Sequence, residues 1–135
     1  MEIRNSNQIP DEVKKRIKSM AEEAIKKAEK AHELIEKSRF LESIDFSSEA
    51  VFWASRAVVN SFGEDSDSMI DLTKIMLSMV EKETIEPFFY NTIIGAVGIS
   101  SSTLDSSNDA LFKEEAQEIY NRSIELVKIL KDIIF

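Results

Sequence analysis

Cysteine is absent from this chain of 135 residues. That excludes disulfides, thiol nucleophiles and thiolate metal sites. There is one histidine, His32, so no multi-histidine metal centre is possible. Glycine and proline are scarce, three and two residues respectively. The glycines, Gly63, Gly95 and Gly98, fit neither a dinucleotide-binding nor a Walker spacing. No long apolar run is present. The longest tract, Phe88 to Ile99, is broken by Asn91 and Thr92 and is too short to span a bilayer. The opening residues, MEIRNSNQIPDEV, lack the apolar core of a secretory signal. The expectation is a cytoplasmic protein that does not enter a membrane.

What remains is rich in Lys, Glu, Ile, Leu and Ala, the composition of helices. The chain is long enough for one domain with its own core and no covalent staples. Net charge is −8, which disfavours nucleic-acid binding over the whole surface. The charge is uneven. Residues 1–39 carry 10 basic and 8 acidic side chains, whereas residues 40–109 carry 3 and 12. Long Lys/Glu helices flanking a sparsely charged centre and acidic loops account for this pattern.

The segment Phe46–Phe62, FSSEAVFWASRAVVNSF, organises the rest. Apolar residues cover most of its circumference, the signature of a buried helix. Ser47 and Ser48 offer hydroxyls to cap its start. Before it, Pro10 suits the first position of a helix whose stripe runs Val13, Ile17, Met20, Ala24, Ala28, Ala31 and Leu34. Acid-before-base pairs four apart, such as Glu23/Lys27 and Glu33/Lys37, decorate its outer face at about 0.3 kcal/mol each. The alanines of the two helices, Ala21, Ala24, Ala28 and Ala31 against Ala50, Ala54 and Ala57, allow a close antiparallel hairpin across a turn at Ser38–Asp45. Gly63 then caps the second helix, with Gly63–Ser68 as a loop. Further helices are expected at about 68–84, 87–99 and 109–134, with a Ser/Asp loop at 100–109. Close packing accounts for Gly95 and Gly98 in the fourth helix. The fold class is therefore all-α, an antiparallel bundle of about five helices in one domain, residues 1–135, with 1–9 loose at the start.

Chemistry-bearing sets are few. Glu29 and His32 form one Glu-x-x-His pair, but no second histidine completes a di-metal carboxylate site. No metal, cofactor or catalytic residue is assigned. Arg56 is the informative polar residue: a charge within an apolar helix, with Glu49 two turns before it, Trp53 beside it and Asn60 one turn after. A charge in such a setting must be paired or reach solvent. Arg56 then either bridges to an acid on helix three or five, or contacts an anion or phosphate in a groove beside Trp53. The binding candidates are Glu49, Trp53, Arg56 and Asn60. The last helix ends in ILKDIIF, whose Ile133, Ile134 and Phe135 must dock on the domain or on a second copy.

AEEAIKKAEKAHELIEKSRF, EAVFWASRAVVNSF and FKEEAQEIYNRSIELVKIL, in that order, resemble the HEPN domains (higher eukaryotes and prokaryotes nucleotide-binding) over about residues 20–62 and 110–132. The resemblance implies a small all-α bundle, frequent dimerisation, RNA or nucleotide contact and, in many members, metal-independent RNase activity. The family's ribonuclease motif, an Arg and a His about one helical turn downstream, is missing: Arg56 is followed by Asn60, and no His follows Arg122. Asn cannot exchange protons near neutral pH as His does. The resemblance is therefore to a non-catalytic member.

Two functions follow. One is a non-enzymatic bundle acting by protein association, as a homodimer. The other is an RNA- or nucleotide-binding module using Arg56 and Asn60, with Lys14, Lys15, Arg16 and Lys18 near by. On the first, deleting residues 131–135 should lower solubility or dissociate the oligomer. Light scattering checks this, and unchanged mass and solubility would count against it.

Overall fold

The computed structural model describes residues 10–102 and 109–134. Five α-helices run in chain order: α1 (Asp11–Glu36), α2 (Phe40–Asn60), α3 (Met69–Glu81), α4 (Pro87–Ser102) and α5 (Lys113–Ile134). A single 3-10 turn, Asp109–Phe112, precedes α5. Among the described residues there is no strand, and no helix is long and apolar enough to cross a membrane. The architecture is an all-α bundle in which α2 touches every other helix.

The α1–α2 hairpin sets the frame. Three contacts fix its register: the Ser43 hydroxyl donates to the Ala31 carbonyl at 2.9 Å, Lys27 pairs with Glu49 at 3.0 Å, and Arg16 donates to Asn60 at 2.9 Å. Residue numbers rise on one helix as they fall on the other, so the two run antiparallel. Ala21, Ala24, Ala28 and Ala31 of α1 and Ala50, Ala54 and Ala57 of α2 are all buried. Side chains this small let the backbones approach closely. The Glu23/Lys27 and Glu33/Lys37 pairs close on the outer face at 3.9 and 2.9 Å.

The hairpin turn is tighter than the sequence suggests. Pro10 lies just before the first helical residue, and its carbonyl accepts from Lys14. At the other end, only residues 37–39 separate α1 from α2, not Ser38–Asp45. Ser38 takes a left-handed φ of 58°, the Arg39 N–H bonds back to the Leu34 carbonyl, and the chain reverses at once. Phe40, Ser43, Ile44 and Ser47 then fall on one buried face of α2. Ser47 and Ser48 are consequently interior helical residues, not caps. The start of α2 is served from far along the chain: the Asp109 carboxylate accepts from the Leu41 N–H at 2.6 Å. That bond fastens the entry to α5 onto the beginning of α2.

The other helix ends follow local chemistry. Gly63, at φ 87°, closes α2, with the Glu64 N–H on the Val59 carbonyl. The Ser68 side chain caps α3 by accepting from Asp71 N–H. α3 stops at Glu81 rather than 84, because Glu83 adopts φ 58° and turns the chain into α4. α5 packs antiparallel on α1, with His32 and Tyr120 rings 5.4 Å apart, and its Ala116, Ile119, Ser123, Leu126 and Leu130 are buried.

Two details depart from the apolar pattern. Phe52 and Trp53 are half-buried, so α2 has one edge partly open to solvent. The two glycines of α4 also differ. A Cβ on Gly95 would lie 3.0 Å from Arg122 Nη1, so close packing explains that position. A Cβ on Gly98 would meet no described atom within 4 Å, and close packing among the described residues does not explain it.

The seam predicts its own weak point. Ala54 lies eleven residues beyond Ser43, on the same face of α2, and is fully buried. Ala54→Leu should push α1 and α2 apart and cost about 1–3 kcal/mol, the usual range for overpacking. A lowered urea midpoint with an unchanged slope checks this. An unchanged midpoint would mean that the seam is not tightly packed.

Candidate functional site

Glu49, Trp53, Arg56 and Asn60 lie at steps of four, three and four along α2, so they share one line on its surface. The structure divides them. Glu49 turns toward α1 and pairs with Lys27. The other three join a compact network with Arg16, one of the basic residues grouped with them in the sequence, and with Asp65, which sequence reasoning did not place there.

Asp65 is its centre. Arg56 Nε donates to Asp65 Oδ1 at 2.8 Å and Arg56 Nη2 donates to Oδ2 at 3.1 Å, a two-pronged pairing of guanidinium and carboxylate. Asn60 Nδ2 donates to the same Oδ1 at 2.9 Å and to the Arg56 carbonyl at 2.7 Å. Asn60 Oδ1 accepts from Arg16 Nε at 2.9 Å. Asn60 is only 1% exposed, and these bonds account for both its amide hydrogens and its oxygen. The Arg56 guanidinium carbon lies 5.5 Å from the centre of the Trp53 ring and 6.0 Å from that of Phe52, over their faces. Phe52 and Trp53 meet edge to face at 5.3 Å.

Electrostatics follow from this geometry. Hydrogen bonding from Arg56 is the main cause that lowers the Asp65 pKa to about 2, helped by Asn60, the Arg56 charge and the Ser66 backbone, against a smaller opposing effect of burial. The same bond raises the Arg56 pKa. The carboxylate is thus ionised and the guanidinium charged at any physiological pH. Neither they nor Asn60 and Trp53 can trade protons near neutrality. The set holds the end of α2 to the loop behind it.

The sequence placed the partner of Arg56 on helix three or five, and the actual partner lies in the connection between α2 and α3. Gly63 supplies the reason. Its left-handed conformation reverses the chain just past Asn60, which returns Asp65 over the last turn of α2. The spacing Arg56, Asn60, Gly63, Asp65 contained that signal.

The remaining candidates stand apart. His32 lies on the exposed side of α1, with Nε2 3.4 Å from Glu36 Oε1 and its ring against Tyr120. Burial and the nearby Glu36 charge push the Tyr120 phenol pKa up. Both border a shallow cavity of about 200 Å³ between α1 and α5, floored by Ile25, Ala28, Ile124 and Val127. Among the described residues, no three of His, Cys, Asp and Glu gather as metal ligands would. The interface candidates Ile133, Ile134 and Phe135 lie outside the residues whose side chains are described.

Asp65 makes the network testable by pH. Its folded pKa is depressed, so its stabilisation is present above the ordinary value near 3.8 and is lost as pH falls through about 2. Because the carboxylate is partly exposed, Asp65→Asn should cost only about 1 kcal/mol at pH 7. Urea melts of the two proteins should differ at pH 7 and converge toward pH 2. A constant gap down to pH 2 would exclude the carboxylate charge as its source.

No family model, curated protein or solved structure matches this chain.

Proposed function

We propose that this chain is a non-catalytic, HEPN-like helical bundle of the cytoplasm that acts by protein association, as a homodimer. One observation carries the reading: the side chains best suited to seize an external anion are already closed on the chain's own Asp65. A phosphate at Arg56 would have to displace a carboxylate held by two guanidinium prongs and a buried amide. Four large aliphatic side chains are also exposed among the described residues. Ile70 and Leu111 are 66% and 68% exposed, and Leu77 and Ile94 are also open to solvent. Ile70 and Leu77, seven residues apart, share one face of α3, and an exposed apolar strip there suits a protein partner.

Light scattering coupled to size exclusion tests this. The expected mass is twice 15.4 kDa, falling toward the single-chain value on dilution. A monomer at every concentration would overturn the homodimer. If a panel of nucleotides and short RNAs instead bound the wild type, and Arg56→Ala abolished binding without unfolding, the chain would be an RNA- or nucleotide-binding module.

A further inference from the structure

We infer that two copies associate through the outer face of α3, antiparallel about a two-fold axis at Leu77, with Asp71 and Lys74 of each meeting Lys82 and Glu81 of the other. The inference rests on the homodimer reading and names its surface.

α3 packs on α2 and α4 and on no other described helix, so one long side of it faces away from the bundle. On that side Ile70, Asp71, Lys74, Leu77, Glu81 and Lys82, the residue just past the last turn, are all exposed. Ile70 and Leu77 are 66% and 39% exposed, and a spacing of seven puts them almost in line. A helix turns by about 100° per residue, so the four charges all fall on one flank of that line. None of the four has an ion-pair partner among the described residues.

The order of these charges selects the occupant. From Asp71 to Lys82 it runs minus, plus, minus, plus. Reversed, it runs plus, minus, plus, minus, which is its own complement. Spacing agrees with order. Asp71 lies six residues before Leu77 and Lys82 five after it, while Lys74 lies three before and Glu81 four after. An axis at Leu77 therefore sets each charge level with its opposite on the other copy to within one residue, about 1.5 Å of rise. The axis also keeps each flank on its own side, so charges meet charges and Leu77 of one copy meets Leu77 of the other. Ile70 then reaches over the turn at Glu83 that ends the other α3. The face is self-complementary, and the contact closes at two copies.

A chain of net charge −8 repels its own kind. These two acids and two bases sum to zero, so the repulsion is not concentrated where the copies meet. A uniformly basic or acidic partner would match half of the pattern and oppose the other half. A second copy matches all of it.

The test follows the mass of the full chain by light scattering. L77D places two carboxylates at the axis and should raise the dissociation constant of the dimer by roughly 30-fold or more, the scale of a central interface residue. K74E and E81K each bring like charges together on both sides of the axis and should raise it by roughly 10-fold at low salt. The double variant K74E/E81K should restore it. Mixing K74E chains with E81K chains should give a heterodimer tighter than either protein alone, because every pair is opposite again. I94E, an equally exposed aliphatic position on α4, should leave the mass unchanged. All these positions face solvent in the single copy, so helical circular dichroism should be unaltered and loss of fold is separable from loss of contact. A wild-type dimer that persists in L77D, that dissociates in I94E, or that the reversed charges fail to restore would overturn the α3 contact and leave the association reading standing. A monomeric wild type would overturn both.

Discussion

The seam between α1 and α2 is narrow because its side chains are small, and the placement of everything else depends on that narrowness. Alanine at Ala24, Ala28, Ala31, Ala50, Ala54 and Ala57 gives little area per residue to bury, but it brings two backbones close enough for Ser43 to reach the Ala31 carbonyl. Beside and behind the alanine row, Val51, Val58 and Val59 belong to the same buried core as the inward residues of the later helices. α2 therefore serves two kinds of packing at once, close against α1 and bulky against α4 and α5. Its fully buried Ser43, Ser47 and Ser55 are residues of nearly alanine size. Long residues there would separate the hairpin and loosen the surface onto which α5 docks.

How much of this was legible in the sequence depended on the reach of the interaction. The stripe of α1 and the Gly63 cap are written within a turn or two of where they act, and the structure has them where the pattern puts them. The start of α2 is not written locally. Ser47 and Ser48 have the chemistry of caps, yet Phe40 and Ile44 gain more by continuing the helix into the core than the hydroxyls gain by ending it. Ser38 accepts a left-handed conformation to make the short turn possible. The bond that then serves the first-turn N–H of Leu41 comes from Asp109, 68 residues away. No window of local sequence contains that pairing.

The candidate site divides in the same way. The line Glu49, Trp53, Arg56 and Asn60 was readable from helical spacing, but spacing gives direction and not partner. Glu49 and Arg56 lie two turns apart on nearly the same side of α2, yet one is drawn to Lys27 on α1 and the other to Asp65 in the following loop. The second pairing matters for chemistry. A guanidinium beside an indole is a familiar receptor for phosphate or carboxylate. Here the chain fills that receptor itself at a distance of nine residues, so the internal carboxylate has a high effective concentration that an external anion must exceed. An apparent ligand site becomes a fastening for the α2–α3 loop, and Asn60, buried beneath it, transmits the same constraint to Arg16 on α1.

The two glycines of α4 show that one residue type need not answer to one cause. Gly95 answers to its own chain: a Cβ there would stand 3.0 Å from Arg122 Nη1, so the guanidinium resting between Asn91 and Glu118 would have to shift. Gly98 is under no such demand from the described residues, none of which comes within 4 Å of where its Cβ would stand, and glycine there costs helix stability.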